Sequence, residues 1–122
     1  MMALFEKLTI DFEHVDDRGR LVQIIHDGYK QVNILETKKG VTRGSHYHKR
    51  CREAFYVVSG RVEVSLKRGE DSEMIEFGSN DFFAIDTNTF HSMFFLEDCL
   101  MIQMYDAPVV DAENGAKDIF TL

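Results

Sequence analysis

Short apolar runs, many of them β-branched or aromatic, recur along the chain and are separated by polar segments. Runs of this kind predict β-strands. The clearest is Arg61–Lys67, where apolar and polar residues alternate strictly, so one face is expected to be buried and the other wet. The full set of predicted strands is Leu21–His26, Gln31–Thr37, Ala54–Ser59, Arg61–Lys67, Glu73–Phe77, Asp81–Ile85, Ser92–Leu96 and Leu100–Tyr105.

Turn-forming residues lie between these strands, at intervals of about ten residues, which is typical of an all-β sandwich or barrel. The predicted turns are Asp17-Arg18-Gly19, Lys39-Gly40, Ser59-Gly60, Arg68-Gly69-Glu70-Asp71 and Gly78-Ser79-Asn80. The only helix allowed by the pattern is a short one within Ala112–Ile119. The 122 residues have the length of one domain, so we expect a single domain over 1–122 with a barrel core at about 20–106.

Composition narrows the classes of partner. The net charge of -7 disfavours nucleic acid, because phosphate contacts need clustered Lys and Arg. No run reaches the ~20 apolar residues of a membrane helix, and the first residues lack a signal-peptide pattern. These features predict a cytoplasmic protein without a membrane segment. Cys51 and Cys99 are expected to be reduced thiols, with a disulfide between them as the alternative.

The segment from His46 to Glu53 carries the candidate chemistry. His46 and His48 are two residues apart, so in an extended strand they project from the same face. Glu53 opens an apolar strand, where a buried carboxylate needs a cationic partner: a divalent metal or a histidine pair that shares protons. His91, at the head of the strand Ser92–Leu96, offers a third imidazole. Such a set suits Fe, Mn, Zn, Ni or Cu.

The spacing of these residues resembles a known family. Gly40 to Gly60 reads G-x5-H-x-H-x4-E-x6-G, which is similar to the first cupin motif at every fixed position. Gly78 and His91 match the second motif, but Asp86-Thr87-Asn88 replaces its proline-glycine turn. Asn88 can adopt the left-handed conformation that glycine would supply there. The resemblance implies an all-β, single-domain cupin (a jelly-roll or double-stranded β-helix barrel) with one divalent metal ion (Zn, Fe, Mn or Ni) on His46, His48, Glu53 and His91. His14 and His26, outside these motifs, are interpreted as surface histidines.

Two further segments resemble cupins that act on nucleotide-linked sugars. Asp16-Asp17-Arg18-Gly19 and Arg43-Gly44-Ser45-His46-Tyr47-His48 are similar to segments of the dTDP-4-keto-6-deoxy-sugar 3,5-epimerases and 3,4-ketoisomerases. The resemblance implies an isomerase or epimerase of surface polysaccharide biosynthesis that needs no organic cofactor. His46 and His48 would be catalytic, and Arg43, Tyr47 and Arg18 would bind substrate, with Arg43 on the diphosphate.

The chain also departs from these families, and the departures leave alternatives open. The 3,5-epimerases have a tyrosine acid where this chain has Met104, and Tyr105 is expected to face the other side. Metal-free sugar cupins generally lack the carboxylate that Glu53 supplies, and an imidazole nitrogen bound to metal cannot also accept a proton. A metal-dependent oxidase or dioxygenase, and a non-enzymatic cupin that binds a small sugar or anion, are therefore the alternative functions.

Aromatic pairs predict the oligomeric state. Phe82-Phe83 and Phe94-Phe95 place aromatic rings on both faces of their strands. One face can fill the barrel, and the other needs a second sheet or a second subunit. We therefore expect a homodimer.

Overall fold

A computed structural model describes residues 4–111 and 113–122 of the chain. These residues form eleven strands and no helix, which confirms the all-β prediction. The strands are β1 (Phe5–Lys7), β2 (Phe12–Asp16), β3 (Gly19–Gln23), β4 (Gln31–Thr37), β5 (Thr42–His46), β6 (Glu53–Ser59), β7 (Arg61–Arg68), β8 (Asp71–Gly78), β9 (Phe82–Ile85), β10 (Phe90–Phe95) and β11 (Cys99–Tyr105).

Every predicted strand has a counterpart, but three strands were not predicted: β1, β2 and β5. Charged residues interrupt β1 and β2, and β5 contains Gly44 and Ser45, so none shows a sustained apolar period. The short helix expected within Ala112–Ile119 is wrong for 113–119, which form a turn and one isolated bridge between Val110 and Lys117. Ala112 lies outside the described residues.

The strands form two large antiparallel sheets and a separate hairpin. One sheet has the order β1-β9-β6-β11-β4, the other has the order β5-β10-β7-β8, and β2 pairs only with β3. The inward faces of the two large sheets share one apolar core, in which Phe55, Phe83 and Phe95 are fully buried. Phe77 and Phe83 stack with ring centroids 3.7 Å apart. This is the jelly-roll arrangement expected of a cupin.

The outer face of the five-stranded sheet is covered by a second apolar cluster. Ala54, Tyr56, Phe82 and Met104 pack there against partly buried residues of the N-terminal segments, including Val22. The chain's own N-terminal hairpin thus covers Phe82, whereas Phe94 on the other sheet stays 41% exposed. Val32 and Ile34, on the edge strand β4, are exposed as well.

Two turn predictions are confirmed by the backbone. Asn88 has φ 61°, the left-handed conformation expected in place of glycine. Gly60, the last glycine of the first motif, has φ 95°, and a Cβ there would lie 2.3 Å from the carbonyl oxygen of Asp98. Both Cys51 and Cys99 are buried free thiols, as expected. In the described part of the chain, no helix has the length and apolarity to cross a membrane.

Candidate functional site

Three imidazoles and one carboxylate converge between the two sheets. His46 of β5 pairs with His91 of β10, and their ring centroids are 4.7 Å apart. The His48 ring follows β5 and lies 5.0 Å from His46 and 5.4 Å from His91. Glu53, from the facing sheet, brings Oε1 to 3.1 Å from His91 Nε2 and 3.3 Å from His48 Nε2. The structure thus brings the four predicted residues together.

A bulge in β5 orients His46. Gly44 pairs with Ser92 and His46 with His91, so Ser45 is left as the extra residue. Gly44 has φ 89° and Ser45 has φ 66°. A Cβ on Gly44 would lie 3.0 Å from the His91 carbonyl oxygen, so the strand approaches β10 most closely where it has no side chain.

The same bulge places Arg43 on the side of His46, although the two are three residues apart. Arg43 pairs with the buried Met93, and directly paired residues project from one face of a sheet. The Arg43 Nε donates to Thr37 Oγ1 at 2.8 Å, and Nη2 donates to the Glu36 carbonyl at 3.3 Å. The guanidinium is therefore held at the exposed end of the sheet face that carries His46 and His91.

Backbone carbonyls fix the tautomers of the two buried histidines. His48 Nδ1 lies 2.6 Å from the carbonyl oxygen of Asp118, and His91 Nδ1 lies 3.2 Å from that of Thr89. A carbonyl can only accept, so each Nδ1 carries the proton. When such a ring is neutral, its Nε2 atom presents a lone pair toward Glu53.

Three buried polar atoms of this site have no hydrogen-bond partner in the part of the chain that the structure describes. His48 Nε2, His91 Nε2 and Glu53 Oε1 have no hydrogen-bond partner among the described residues. Burial alone would raise the pKa of the Glu53 carboxyl, but the neighbouring imidazoles of His48 and His91 outweigh it and hold that pKa below its ordinary value. An ionised carboxylate facing two lone pairs is stable only if a proton or a cation lies between them.

An amide chain holds the other oxygen of Glu53. Gln103 Nε2 donates to Glu53 Oε2 at 2.7 Å, and Asn33 Nδ2 donates to Gln103 Oε1 at 2.9 Å. Tyr105 pairs with Glu53 across β6 and β11 and is buried, while Met104 packs in the outer cluster. Tyr105 thus lies on the site's side of β11, and the expectation that it faces the other side is wrong, because the strand register places Tyr105 and not Met104 opposite Glu53. The Tyr105 ring meets the His48 ring edge-on at 5.4 Å. Burial, with the charge of Glu53, raises the pKa of the Tyr105 phenol.

His46 differs from the other two imidazoles because it is only partly buried. Partial burial, together with the neighbouring His91 and His48, lowers the pKa of His46 from 6.5 to about 4. His48 shows the opposite shift. Burial would lower its pKa, but Glu53 and the Asp118 carbonyl raise it. At neutral pH, His46 is therefore a neutral imidazole at the edge of a charged, buried cluster.

The donor set fits a divalent metal ion. Ligand nitrogens of His46, His48 and His91 all lie within 4.8 Å of one another, and Glu53 adds a hard oxygen donor. The Nδ1–carbonyl bonds are the outer contacts that metal-binding histidines usually make. The three atoms without a hydrogen-bond partner in the described chain are the ones that would coordinate such an ion.

Two predicted substrate residues lie elsewhere. Arg18 is in the turn of the β2–β3 hairpin, is 83% exposed and bonds Asp16 at 2.6 Å. Tyr47 pairs through its backbone with Phe120, and their rings are 5.6 Å apart. No contact joins Arg18 to the histidines among the residues that the structure describes. The roles of both residues stay predictions.

Sequence reasoning missed three residues around the site. Gln103 carries a signal, because it is an amide inside the otherwise apolar strand β11, and Asn33 carries a weaker one, because it lies between Val32 and Ile34 in β4. Asp118, which supplies the carbonyl for His48, is distant in the chain and has no motif around it.

Comparisons with known proteins support the fold and the family. Residues 14–111 match the family described as "Polysaccharide biosynthesis C-terminal domain". A search of curated proteins finds no match. Among solved structures, the TDP-quinovose 3,4-ketoisomerase WlaRB from Campylobacter jejuni is similar, with a TM-score of 0.82 and 19% identity over 99% of this chain and 95% of that one.

Two other solved structures add detail. A mutant of the 3,4-ketoisomerase QdtA from Thermoanaerobacterium thermosaccharolyticum, in complex with TDP-4-keto-6-deoxyglucose, has a TM-score of 0.80 and 20% identity over 100% of this chain and 90% of that one. The capsular polysaccharide assembling protein CapF from Staphylococcus aureus has a TM-score of 0.64 and 27% identity, over 91% of this chain but only 32% of its own. The match over residues 14–111, on a cupin fold, shows that the chain belongs to the polysaccharide biosynthesis C-terminal domain family.

Proposed function

We propose that this chain is an isomerase of a nucleotide-linked 4-keto sugar, of the 3,4-ketoisomerase type, in polysaccharide biosynthesis. One observation carries the proposal: His46, a partly exposed and unprotonated imidazole, lies directly beside a buried His48–Glu53–His91 cluster. The named activities of WlaRB and QdtA support the same reaction class, and TDP-4-keto-6-deoxyglucose is the first substrate to test.

The chemistry begins at the carbon beside the ketone. A ketone at C4 acidifies the hydrogen on C3, and the neutral His46 imidazole can accept that proton. The C–H electron pair then forms a C3–C4 double bond, and negative charge develops on the C4 oxygen. The proton of the C3 hydroxyl then passes to the C4 oxygen, and return of a proton to C4 leaves a ketone at C3 and a hydroxyl at C4. Electrons stay within the substrate, so the reaction needs no oxidant.

The developing oxyanion needs a fixed positive group or donor close by. The His48–Glu53–His91 cluster is rigidly held, because carbonyls fix both rings and Gln103 fixes the carboxylate. A metal ion held by His48, Glu53 and His91 would supply Lewis-acid stabilisation of an enolate oxygen and would leave His46 free to act as the base. Without it, a protonated His48 would supply positive charge beside His46.

Arg43 would bind the diphosphate. Its guanidinium is positioned by Thr37 and the Glu36 carbonyl at the exposed end of the same face as His46. A guanidinium can present two parallel N–H donors to phosphate oxygens. Binding there would orient the sugar toward the imidazole.

The test uses chelator-treated protein and protein reloaded separately with Zn(II), Mn(II), Ni(II) and Fe(II). Each preparation is incubated with TDP-4-keto-6-deoxyglucose, and the sugar is followed by NMR while dissolved oxygen is recorded. We expect the 3-keto isomer to form without oxygen uptake. An unchanged sugar in every preparation, or epimerisation with the ketone still at C4, would contradict the proposal.

A second candidate is a metal-dependent oxidase or dioxygenase. The three unpartnered buried atoms and the third imidazole favour it, because together they can hold one ion and leave coordination positions for substrate. Oxygen uptake that requires Fe(II) and a bound sugar would support this candidate over the isomerase.

A further inference from the structure

The C-terminal segment folds back onto residues 47–52, which contain His48 and lead into β6 and are called the histidine loop. Phe120 and Tyr47 exchange two backbone hydrogen bonds, of 2.9 and 3.0 Å. The Lys49 ammonium lies 4.2 Å from the centroid of the Phe120 ring. This segment therefore packs against the histidine loop, although about seventy residues separate the two in the chain.

The side chain of Asp118 is the main polar contact of this packing. It is 5% exposed. Its carboxylate accepts the backbone N–H groups of Lys49, Arg50 and Cys51 at 2.9, 2.8 and 2.7 Å. Three consecutive donors on one carboxylate fix the path of the loop between His48 and Glu53.

The main chain of the same residue contacts the imidazole directly. The Asp118 carbonyl accepts from His48 Nδ1 at 2.6 Å, the shorter of the two bonds that fix the buried rings. Asp118 also donates its own N–H to the Val109 carbonyl at 2.8 Å. One residue therefore ties together the loop, the imidazole and the start of the C-terminal segment.

We propose that Asp118 is a positioning residue for His48. Its carboxylate anchors the loop, and that anchorage keeps its carbonyl on Nδ1, so that Nε2 presents its lone pair to Glu53. The inference concerns the tautomer and orientation of His48 and does not depend on which reaction the site performs.

The test is the tautomer of His48, read from imidazole ¹⁵N shifts and long-range ¹H–¹⁵N correlations of the metal-free 122-residue chain, at a pH high enough for the His48 ring to be neutral. The native protein should show His48 protonated on Nδ1. In Asp118→Ala, we expect a mixture of tautomers at His48 and an unchanged pattern at His91, which a different carbonyl holds. Affinity for Co(II), measured by chelator competition, should fall about 10- to 100-fold.

Asp111→Ala is the matched control. Asp111 lies in the same C-terminal segment and also accepts two backbone N–H groups, from Glu113 and Asn114. It reaches the loop only through a 4.0 Å ion pair with the exposed side chain of Arg50, and among the described residues it does not contact His48 or a loop N–H group. The Asp111→Ala variant should leave both the His48 pattern and the Co(II) affinity unchanged.

If Asp118→Ala does not fold, Asp118→Asn decides the question. It keeps the size of the side chain but replaces one of the two oxygens that accept the loop N–H groups, so we expect a partial change of tautomer at His48 and none at His91. A folded Asp118 variant with the native His48 pattern would overturn the proposal. Equal tautomer changes at His48 and His91 would also overturn it, because they would indicate a general loosening of the fold.

Discussion

His91 Nε2 lies 3.1 Å from Glu53 Oε1, and both side chains are 1% exposed. Neither atom forms a hydrogen bond within the described residues. The other nitrogen of the His91 ring, Nδ1, bonds to the Thr89 carbonyl, and the other oxygen of Glu53, Oε2, accepts from Gln103. The surroundings thus hold two uncompensated polar atoms face to face. Such an arrangement favours the binding of a cation, either a proton or a metal ion, between the two atoms.

Glu53→Gln tests that preference. The amide keeps the shape of the side chain but removes the charge that a cation would balance, so Zn(II) affinity should fall at least tenfold. Unfolding in urea should show a loss on the order of 3 kcal/mol at neutral pH, because one partner of a buried pair is gone. Glu70→Gln, in the exposed β7–β8 turn, should change neither quantity. Unchanged Zn(II) affinity in Glu53→Gln would mean that the Glu53 carboxylate does not contribute to metal binding.

The metal-free protein should show a characteristic pH range for this contact. The pKa of Glu53 is below its unfolded value of 4.5, so its contribution is present above that pH and is lost as pH falls through the folded pKa. The pKa of His48 is above its unfolded value of 6.5, so its contribution is present below 6.5 and is lost as pH rises through the folded pKa. The difference in unfolding free energy between wild type and Glu53→Gln should therefore be largest between pH 4.5 and 6.5. A difference that keeps growing above pH 8 would disagree with this pairing.

Arg43→Ala tests the diphosphate contact. Because the guanidinium would bind a part of the substrate that does not react, KM should rise about 10- to 100-fold with kcat changed little. Arg43→Lys should recover only part of the loss, since an ammonium lacks the two-pronged geometry. Arg18→Ala is measured beside it, because Arg18 is the other arginine predicted to bind substrate. Steady-state kinetics on the two variants shows whether each arginine contributes to KM. A fall in kcat alone for Arg43→Ala would place this residue near the chemistry instead.

The homodimer prediction can be made specific. β4 is an edge strand whose outer face presents Val32 and Ile34, both exposed, between Lys30 and Glu36. If a second copy adds its β4 antiparallel with Asn33 at the two-fold axis, Val32 would face the partner's Ile34, and Lys30 would face the partner's Glu36. Apolar pairs and opposite charges would then match.

Light scattering should give twice the 14.1 kDa chain mass for the native protein and a shift toward one chain mass for Ile34→Lys. Met74→Lys, at another exposed apolar residue, should remain dimeric. A native protein of one chain mass would contradict the prediction.

The sequence was most informative where the relevant contacts follow from local periodicity. His46 and His48 share a face because they are two residues apart, and Glu53 follows after a short loop, so their convergence could be predicted. The left-handed Asn88 followed from its residue type. The bulge at Ser45 could not be predicted, because it depends on pairing with β10, and without it Arg43 and His46 would lie on opposite faces.

The residues that hold the site in place were harder to predict than the site itself. Asp118 contacts a loop about seventy residues away, and no spacing rule links them. Gln103 and Thr89 act through contacts between strands whose pairing is set by the tertiary fold. The expected C-terminal helix failed for a similar reason. The local hydrogen bonds of this segment close a turn between Val110 and Lys117, and Asp118 and Phe120 then bond to the residues around His48.

The central claim is that His46 moves a proton of the bound keto sugar, and solvent deuterium tests it most directly. In D₂O, native protein with TDP-4-keto-6-deoxyglucose should give a 3-keto product that carries deuterium at C4. His46→Asn should slow this incorporation by about 10² to 10⁴-fold, and the exposed-histidine control His14→Ala should not slow it. A 3-keto product that forms, or takes up deuterium, at the native rate in His46→Asn would contradict the account.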